Sequence, residues 1–209
     1  MGRERETDTG VDMSTVDPSA EISPDAEVDP SARVWGLVQV REGARVGADC
    51  ILGRGVYVDR GVSIGDRVKI QNLAQVYAPA IIEDGVFIGP AAVLTNDTYP
   101  RAVTPEGTLA TADDWTSTGV VVREGASIGA RVVCVAPVVV GRWAMVAAGA
   151  TVVHDVPDYG LVAGTPARRI GWVGRAGRRL VDDDGVLRCP VTGATYVERD
   201  GVLTEGSDD

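Results

Sequence analysis

Branched aliphatic residues recur at every sixth position from Val16 to Leu94, and a small or β-branched residue follows each of them four positions later. The pattern stops after Leu94 and resumes in a shifted register from Val122 to Val152. An α-helix repeats about every 3.6 residues and a half-buried strand every two, so a strict period of six fits neither element. The spacing is typical of a solenoid in which each hexad forms one short strand and one corner.

The pattern predicts an all-β chain, a left-handed parallel β-helix of hexapeptide repeats over residues 16–156. Three hexads close one triangular turn, so each aliphatic side chain points inward and stacks on its equivalent 18 residues away. A β-sandwich is the alternative, but its strands would not keep one register over so many repeats. We expect positive φ in tight turns at the glycines that directly follow an aliphatic position. These are Gly47, Gly53, Gly65, Gly89, Gly129 and Gly141.

Three segments depart from the repeat. Residues 1–15 are polar and charged and are expected to form a flexible N-terminal arm. Residues 95–119 interrupt the solenoid as a long loop, and loops of that length inside a compact domain are usually functional. Residues 157–209 form a C-terminal extension with an Arg-rich segment and a predicted hairpin of Val186–Cys189 and Thr195–Glu198.

Composition narrows the classes of function. The formal net charge of −10 argues against nucleic acid or an anionic membrane as the main partner. We expect neither a membrane span nor a signal peptide, because the chain has no run of 18 apolar residues and no basic-then-apolar start. Three separated cysteines indicate reduced thiols and a cytoplasmic protein, with Cys50 and Cys134 on inward positions. The lone histidine, His154, excludes a three-histidine zinc site, and no metal is expected.

Four stretches carry a resemblance to a known family. They are Val68–Asn72 (VKIQN), Ile82–Pro90 (IEDGVFIGP), Leu94–Arg101 (LTNDTYPR) and Gly164–Gly171 (GTPARRIG). Together they resemble the bacterial hexapeptide-repeat 3-N-acetyltransferases of sugar nucleotides, over about residues 16–200. The Cys-Pro-x-Thr-Gly motif at Cys189 is similar to the enzymes for UDP-2-acetamido-3-amino-2,3-dideoxy-glucuronate. The Asn-Asp pair of the loop looks more like the enzymes for dTDP-3-amino-dideoxyhexoses, so the nucleotide stays open.

The resemblance implies an acetyl-CoA-dependent N-acetyltransferase that acts on the 3-amino group of a nucleotide-linked sugar. The implied catalytic pair is Asn96 and Asp97, although both residue types also favour ordinary turns. The candidate substrate-binding residues are Gln71, Asn72, Tyr77, Tyr99 and Arg101, of which the first two could equally be an exposed polar ladder. The candidate acetyl-CoA contacts are Ala148, Gly164, Pro166, Arg168 and Arg169.

An amine acceptor fits the scarcity of strong bases in the chain. An amine with a pKa near 8 is roughly 10% neutral at pH 7, and the departing thiolate could take the proton later. We expect Asp97 to accept hydrogen bonds from the sugar amine or ammonium and Asn96 to orient the same nitrogen. A hydroxyl acceptor would require a stronger base, and His154 is assigned to a solvated edge of the coil instead.

A homotrimer with its sites between subunits is also inferred, from side chains that are larger than a solvated edge needs. We expect four larger side chains to lie on one flat face and to form the contact between subunits: Tyr57, Lys69, Tyr77 and Phe87. Two alternatives remain, a different acceptor or a non-catalytic β-helix scaffold, and binding of acetyl-CoA would separate the scaffold from the enzymes.

Overall fold

The computed structural model describes residues 15–206, apart from the side chain of Ala112. The predicted flexible arm therefore lies outside the described residues except for Thr15. The prediction of an all-β, left-handed parallel β-helix is confirmed. The only helical segment of the described chain is a short 3-10 turn at Ala112–Asp114. None of the described residues forms a helix long and apolar enough to cross a membrane.

Most strands of the β-helix contain two residues, because each hexad devotes its other four residues to a corner. In chain order the strands are β1 (Glu21–Ile22), β2 (Glu27–Val28), β3 (Arg33–Val34), β4 (Gln39–Val40), β5 (Arg45–Val46), β6 (Ile51–Leu52), β7 (Tyr57–Val58), β8 (Ser63–Ile64), β9 (Lys69–Ile70), β10 (Gln75–Val76), β11 (Ile81–Ile82), β12 (Phe87–Ile88), β13 (Val93–Leu94), β14 (Val120–Val122), β15 (Ser127–Ile128), β16 (Val133–Cys134), β17 (Val138–Val140), β18 (Met145–Val146), β19 (Thr151–Val152) and β20 (Gly160–Ala163).

Successive strands lie on three successive faces of a prism. The first face contains β1, β4, β7, β10, β13, β16 and β19, and the second contains β2, β5, β8, β11, β14 and β17. The third contains β3, β6, β9, β12, β15, β18 and β20. Neighbours within a face are parallel, and before the loop each residue pairs with the residue 18 positions later, as in Val40↔Val58 and Val58↔Val76. The predicted stacking is therefore confirmed.

The core is a column of aliphatic and small side chains along the axis of the prism. Val58, Val76 and Leu94 stack on one face and are fully buried. Cys50 and Cys134 are also fully buried, as predicted. Burial of one such aliphatic side chain contributes about 1.5–3 kcal/mol, and the regular stacking repeats this contribution at each level.

The corners use glycine for a different reason from the one the sequence suggested. Positive φ falls three residues after the aliphatic position, as at Leu37, Gly43 and Gly61, and none of the six glycines named above has it. The prediction of positive φ at those six positions was therefore wrong. A Cβ on Gly47 would lie 2.6 Å from the carbonyl carbon of Gly65 in the next turn, so these positions need glycine for close backbone approach.

One turn of the β-helix is much longer than the others. Ile82 pairs with Val122, 40 positions later instead of 18, so the loop adds 22 residues to this turn. It leaves the prism where the chain passes from the first face to the second. We call this edge the opened corner; it comprises residues 77–80, 95–119 and 135–138 and their equivalents in other turns.

Beyond Ala163 the chain turns back on itself. Strand β21 (Arg168–Trp172) pairs antiparallel with β20 at the end of the third face. A separate antiparallel sheet follows, with β22 (Val181–Asp183), β23 (Val186–Arg188), β24 (Thr195–Arg199) and β25 (Val202–Glu205) in that order. It packs around a small second core that contains Trp172, Leu180, Cys189, Tyr196 and Leu203.

The four large side chains expected on one flat face do not share a face, so that prediction was wrong. Tyr57 lies on the first face, whereas Lys69 and Phe87 pair with each other on the third. Tyr77 lies beyond the end of β10, at the opened corner. The physical reason is the repeat itself, because only residues separated by whole turns of 18 project from the same face.

Candidate active site

The two ends of the loop, residues 95–98 and 117–119, form its neck. The neck is hydrogen-bonded to the turn of the β-helix that follows it. The Thr95 hydroxyl accepts a 3.0 Å hydrogen bond from the Ala136 N–H, and the Thr98 hydroxyl donates to the Ala136 carbonyl at 2.6 Å. The two ends of the loop also meet, since Thr118 N–H donates to the Asn96 carbonyl at 3.1 Å. Asn96 is therefore held at a fixed place on the opened corner.

The returning end of the loop is anchored to the preceding turn. The Ser117 hydroxyl donates to the Ala78 carbonyl at 3.2 Å. A Cβ on Gly119 would lie 2.7 Å from the Pro79 carbonyl oxygen, so the chain can pass here only without a side chain. Both ends of the loop thus lie on one level, between Ala78 below and Ala136 above.

A hydrogen-bonded cluster under the loop fixes the Ala78 corner. Asp59 Oδ2 accepts from the Ala78 N–H at 3.2 Å, and Asp59 Oδ1 accepts from the Tyr57 hydroxyl at 3.0 Å. Arg41 donates to the same hydroxyl at 3.3 Å. Burial alone would raise the pKa of Asp59, but the N–H groups of Arg60 and Ala78 and the Tyr57 hydroxyl outweigh it and hold that pKa below its ordinary value.

Asn96 and Asp97 present free acceptor atoms at the neck. The half-buried side chain of Asn96 has no hydrogen-bond partner among residues 15–206. Asp97 Oδ1 accepts from the Tyr99 N–H at 2.8 Å, which closes a local turn, while no described residue bonds to Oδ2. An amide oxygen and a carboxylate oxygen can both accept from an amine, so this pair retains the chemistry that the sequence assigned to it.

The body of the loop encloses a cavity of about 530 Å³. Its wall is shaped by a short bridge between Val103 and Leu109 and by a capping box in which Thr111 and Asp114 exchange hydrogen bonds. Among the residues that line it are Asp97, Tyr99, Arg101, Thr111, Asp114 and Trp115. Carboxylates, a guanidinium and aromatic rings therefore converge within reach of the neck.

Tyr77, Tyr99 and Arg101 all lie at the opened corner but differ in how they are held. The Tyr77 hydroxyl donates to Gln75 Oε1 at 2.8 Å, and its ring lies 5.4 Å from that of Tyr57. Tyr99 is 85% exposed, and Arg101 donates only to the Pro100 carbonyl at 3.1 Å. The last two side chains are thus open to a ligand.

Gln71 and Asn72 lie at another edge of the prism, where the chain passes from the third face to the first. We call it the small-residue corner; it comprises residues 71–74, 89–92, 129–132, 147–150 and their equivalents. Asn72 Oδ1 accepts from the Arg54 N–H in the preceding turn at 3.0 Å, as Asp66 does for Ala48 at the neighbouring corner. The Asn72 side chain therefore links two adjacent turns of the β-helix. Within one chain, Gln71 and Asn72 lie at a different corner from Asn96 and Asp97.

The candidate acetyl-CoA residues lie along the small-residue corner, at the C-terminal end of the β-helix. Gly129 must be glycine, since a Cβ would lie 2.5 Å from the Ala148 nitrogen. The exposed Ala148 has a backbone N–H without a partner in the described part of the chain. Gly164, with a φ of +93°, begins the turn through Pro166 that ends the corner. Residues 129, 148 and 164 thus carry no side chain larger than a methyl group.

The two arginines after this turn are in different situations. Arg169 donates to Glu198 at 3.4 Å, and its guanidinium lies 4.1 Å from the centre of the Trp172 ring. Arg168 donates only to the neighbouring Ala167 carbonyl, at 2.9 Å. Arg168 is therefore available to an anionic ligand, whereas Arg169 already has partners.

Within one chain the candidate residues form two groups rather than one pocket. The acceptor group lies at the opened corner and the acetyl-CoA group at the small-residue corner, and the first face separates them. His154 is exposed at the opened corner, one turn beyond Ala136 and so roughly 10 Å along the axis from the level of Asn96. Its place does not put it in direct contact with the Asn96 backbone.

Two parts of the site were not found from the sequence. Thr118 and Ser117 hold the returning end of the loop, but nothing in a Thr-Ser-Thr-Gly run distinguishes them from solvated loop residues. Asp59 supports the corner from one turn earlier, and only the three-dimensional stacking brings it to Ala78. The Thr111-x-x-Asp114 pattern was a usable signal, because that spacing is typical of a cap.

Two protein-family models match the turns before the loop. The bacterial transferase hexapeptide model (six repeats) matches residues 61–96, and the hexapeptide repeat of succinyl-transferase matches residues 43–72. The matched region ends at Asn96. The repeats of this chain are thus of the kind found in transferases.

Curated relatives are acetyltransferases. The dTDP-3-amino-3,6-dideoxy-alpha-D-galactopyranose 3-N-acetyltransferase of Aneurinibacillus thermoaerophilus is 41% identical over 87 residues, 41% of this chain and 44% of the relative. Serine acetyltransferase 4 of Arabidopsis thaliana is 31% identical over 138 residues, 65% of this chain and 30% of the relative. The chain therefore spans less than half the length of these relatives.

Solved structures share the fold. A hexapeptide-repeat acetyltransferase of Vibrio cholerae, complexed with acetyl coenzyme A, is 25% identical with a TM-score of 0.51, over 63% of this chain and 72% of that one. A hexapeptide transferase family protein of Anaplasma phagocytophilum is 17% identical with a TM-score of 0.51, over 76% and 81% of the two chains, which shows the fold alone. The chain is thus similar in fold to solved hexapeptide-repeat transferases.

Proposed function

We propose that this chain is an acetyl-CoA-dependent N-acetyltransferase that acts on the 3-amino group of a nucleotide-linked sugar. The observation that carries the proposal is the opened corner, where 22 extra residues present the unpaired side chain of Asn96 and a free carboxylate oxygen of Asp97. The relative with 41% identity over 87 residues is named for this reaction class, which supports the same assignment.

The acceptor side of the proposed site favours an amine. Asn96 Oδ1 and Asp97 Oδ2 are both acceptors, and an ammonium or amine supplies two or more N–H donors to a single pair of this kind. A hydroxyl acceptor offers one donor and needs a base to remove its proton. Tyr99 and Arg101, open on the wall of the loop cavity that Asp97 also lines, are assigned to the sugar and to an anionic group of the nucleotide.

The small-residue corner fits the acetyl donor. A long, thin pantetheine chain needs a path without protruding side chains and with backbone groups free to bond its amides, and Gly129, Ala148 and Gly164 have little or no side chain to obstruct it. The free N–H of Ala148 is the donor available for this purpose. Arg168 is assigned to the phosphates, since Arg169 is already paired with Glu198.

The residues of the chain orient the reactants rather than exchange covalent bonds with them. The sugar nitrogen attacks the thioester carbonyl, a C–N bond forms, the C–S bond breaks, and the thiolate leaves with one proton from nitrogen. Asn96 and Asp97 hold the nitrogen in line and accept its N–H bonds during attack. With a nitrogen pKa near 8, about one molecule in ten is neutral at pH 7, so positioning can replace a strong base.

We propose a homotrimer in which each site is completed by two chains. The acceptor group and the acetyl-CoA group lie on two different corners of one chain, so a neighbouring copy is needed to bring one of each kind together. Co-expression of two inactive variants tests this arrangement. Asn96→Ala and Ala148→Trp damage different corners, and mixed oligomers should recover part of the wild-type rate only if the sites are shared.

The nucleotide is proposed to be dTDP or UDP, with each choice resting on a separate observation. The dTDP-sugar acetyltransferase relative and the Asn96-Asp97 pair favour dTDP. The Cys-Pro-x-Thr-Gly motif at Cys189 favours a UDP-linked 3-amino uronate. The two candidates differ in a carboxylate on the sugar, which an open guanidinium such as Arg101 could recognise.

Thiol release from acetyl-CoA tests the proposal against a panel of UDP- and dTDP-linked 3-amino sugars. We expect turnover on one nucleotide, and a fall of about a hundredfold or more in kcat/KM for Asn96→Ala and for Asp97→Ala. His154→Ala is the matched control at the same corner and should keep most of the wild-type rate.

The other outcomes identify the alternatives. Binding of acetyl-CoA without turnover on any amino sugar would point to a different acceptor. Failure to bind acetyl-CoA would favour a non-catalytic scaffold. Loss of activity in His154→Ala would mean that a base from two turns further along the β-helix reaches the acceptor, contrary to the positioning role proposed here for Asn96 and Asp97.

A further inference from the structure

One buried hydroxyl lies at the neck of the loop without a hydrogen-bond partner. Thr118 Oγ1 is the only buried side-chain nitrogen or oxygen among residues 15–206 that lacks one. Leaving a buried hydroxyl unpaired is unfavourable, so folded chains rarely tolerate it unless a ligand, a water or a moving side chain completes it. Thr118 has no part in the function proposed above.

A complementary group without a partner belongs to Asn96, the residue that Thr118 pairs with through its backbone. Thr118 N–H donates to the Asn96 carbonyl at 3.1 Å, so the two residues lie side by side across the neck. The carboxamide of Asn96 also lacks a partner among the described residues. Its NH₂ group is a donor and the Thr118 hydroxyl can accept, so the two side chains are complementary hydrogen-bonding groups on adjacent segments of the neck.

Burial decides how Thr118 could act. Its Oγ1 is shielded, so a sugar cannot reach it directly, whereas Asn96 is only half-buried. Any effect of this hydroxyl on the acceptor must therefore pass through a neighbouring side chain. An amide that donates its NH₂ inward presents its oxygen outward, which is the orientation that an amine donor requires.

We infer that Thr118 is a positioning residue that orients the Asn96 carboxamide when the acceptor binds. The Asn96 NH₂ then donates to Thr118 Oγ1, and Asn96 Oδ1 accepts from the sugar amine. This rests on the proposed amine acceptor and deepens it, because the pair would fix which end of the amide faces the substrate. The matching 3-hydroxy sugar has only one hydrogen-bond donor at this position, so the same orientation of Asn96 would accelerate acetyl transfer to it less.

The test compares Thr118→Val, which removes the hydroxyl at nearly constant volume, with Thr118→Ser, which keeps it. We expect Thr118→Val to lower kcat/KM for the amino sugar roughly tenfold with the KM for acetyl-CoA unchanged, and Thr118→Ser to stay within about threefold of wild type. In the Asn96→Ala background Thr118→Val should have no further effect, because its only route is through Asn96. The melting temperature of Thr118→Val should equal or exceed that of the wild type.

Several outcomes would overturn the inference. These are equal kinetics of Thr118→Val and wild type, an undiminished effect in the Asn96→Ala background, or a marked fall in the melting temperature, which would show that the hydroxyl serves the fold. Calorimetry of the binding of UDP- and dTDP-linked 3-amino sugars without acetyl-CoA distinguishes a failure of the proposed function from a failure of the role inferred for Thr118. Wild type that binds a sugar but transfers nothing contradicts the proposed function, whereas equal affinity of wild type and Thr118→Val contradicts the role of Thr118. Absence of binding contradicts both.

Discussion

The indole Nε1 of Trp172 donates a 2.6 Å hydrogen bond to Glu198 Oε2, which joins β21, the antiparallel strand at the end of the β-helix, to the C-terminal sheet. Trp172 is buried, and Glu198 also accepts from Arg169, whose guanidinium lies over the Trp172 ring. A second contact joins Glu205 to Arg175 at 3.0 Å. The sheet is thus fixed to the end of the solenoid by polar contacts as well as by its small core.

Removing the Glu198 carboxylate should weaken this junction. We expect Glu198→Ala to lower the free energy of unfolding by about 1–2 kcal/mol, as for a hydrogen bond between a buried donor and a charged acceptor. Asp183→Ala is the matched control in the same sheet, because its pair with Arg188 is exposed on both sides and should contribute less than about 0.5 kcal/mol. Urea unfolding measures both; equal effects would mean that the Trp172 bond adds nothing.

The two kinds of corner glycine should respond differently to alanine. A Cβ at position 47 would meet the backbone of Gly65 at 2.6 Å, whereas a Cβ at position 61 meets nothing within 4 Å but is strained by a φ of +65°. We expect Gly47→Ala to cost about 2 kcal/mol or more and Gly61→Ala about 1 kcal/mol. The reverse order in denaturant unfolding would show that backbone conformation, not close approach, governs these corners.

The Asp59 cluster should make the opened corner sensitive to acid. The pKa of Asp59 is lower in the folded chain than its ordinary value of 3.8, so its ionised form stabilises the fold above that pH. This contribution is lost as the pH falls through the lowered value. When the pH is lowered below about 4, we expect the melting temperature of the wild type to decrease. The melting temperature of Asp59→Asn should be lower at neutral pH and should decrease less.

Asp25→Asn is the control for the acid experiment, because Asp25 lies on the same edge, at the position equivalent to Gly61, and its carboxylate makes no hydrogen bond with any described residue. It should reproduce the wild-type pH profile. If Asp59→Asn also followed the wild-type profile at every pH, the hydrogen bonds to Tyr57 and Ala78 would carry no measurable stability.

The two buried cysteines of the β-helix core, Cys50 and Cys134, should be silent in a thiol-release assay. Burial raises the pKa of Cys134 to about 12 and also raises that of Cys50, so neither forms a thiolate near neutral pH. We expect an aromatic disulfide reagent at pH 8 to leave both unmodified in the native chain and to react with them after unfolding in guanidinium. Rapid native labelling of Cys134, identified by peptide mass, would contradict the packing of the first face.

The repeat was predictable because one physical rule acts at each level of the solenoid. The positions of Val58, Val76 and Leu94 follow from a period of six alone, since each must point into the same narrow core. The role of Gly47 was not predictable in the same way, because glycine serves both positive φ and close approach and the sequence does not separate them. Only the placement of Gly65 in the next turn does so.

The sequence predicted where Asn96 and Asp97 lie in the fold better than it predicted how the other candidate residues are arranged. The interruption after Leu94 and the resemblance pointed to Asn96 and Asp97, and the structure places both at the neck of the loop. Asn72 was assigned to the substrate, but its side-chain oxygen Oδ1 accepts a hydrogen bond from the backbone N–H of Arg54, at a different corner from Asn96. Which corner a residue occupies depends on counting whole turns, and side-chain capping leaves little trace in the sequence.

The most direct test of the central claim is identification of the product by mass spectrometry and NMR after incubation with acetyl-CoA and a dTDP- or UDP-linked 3-amino sugar. We expect one acetyl group in amide linkage to the nitrogen at C3, formed by wild type and lost with Asn96→Ala. An unmodified sugar, or an acetyl group attached to oxygen, would contradict the assignment of the opened corner to an amine acceptor.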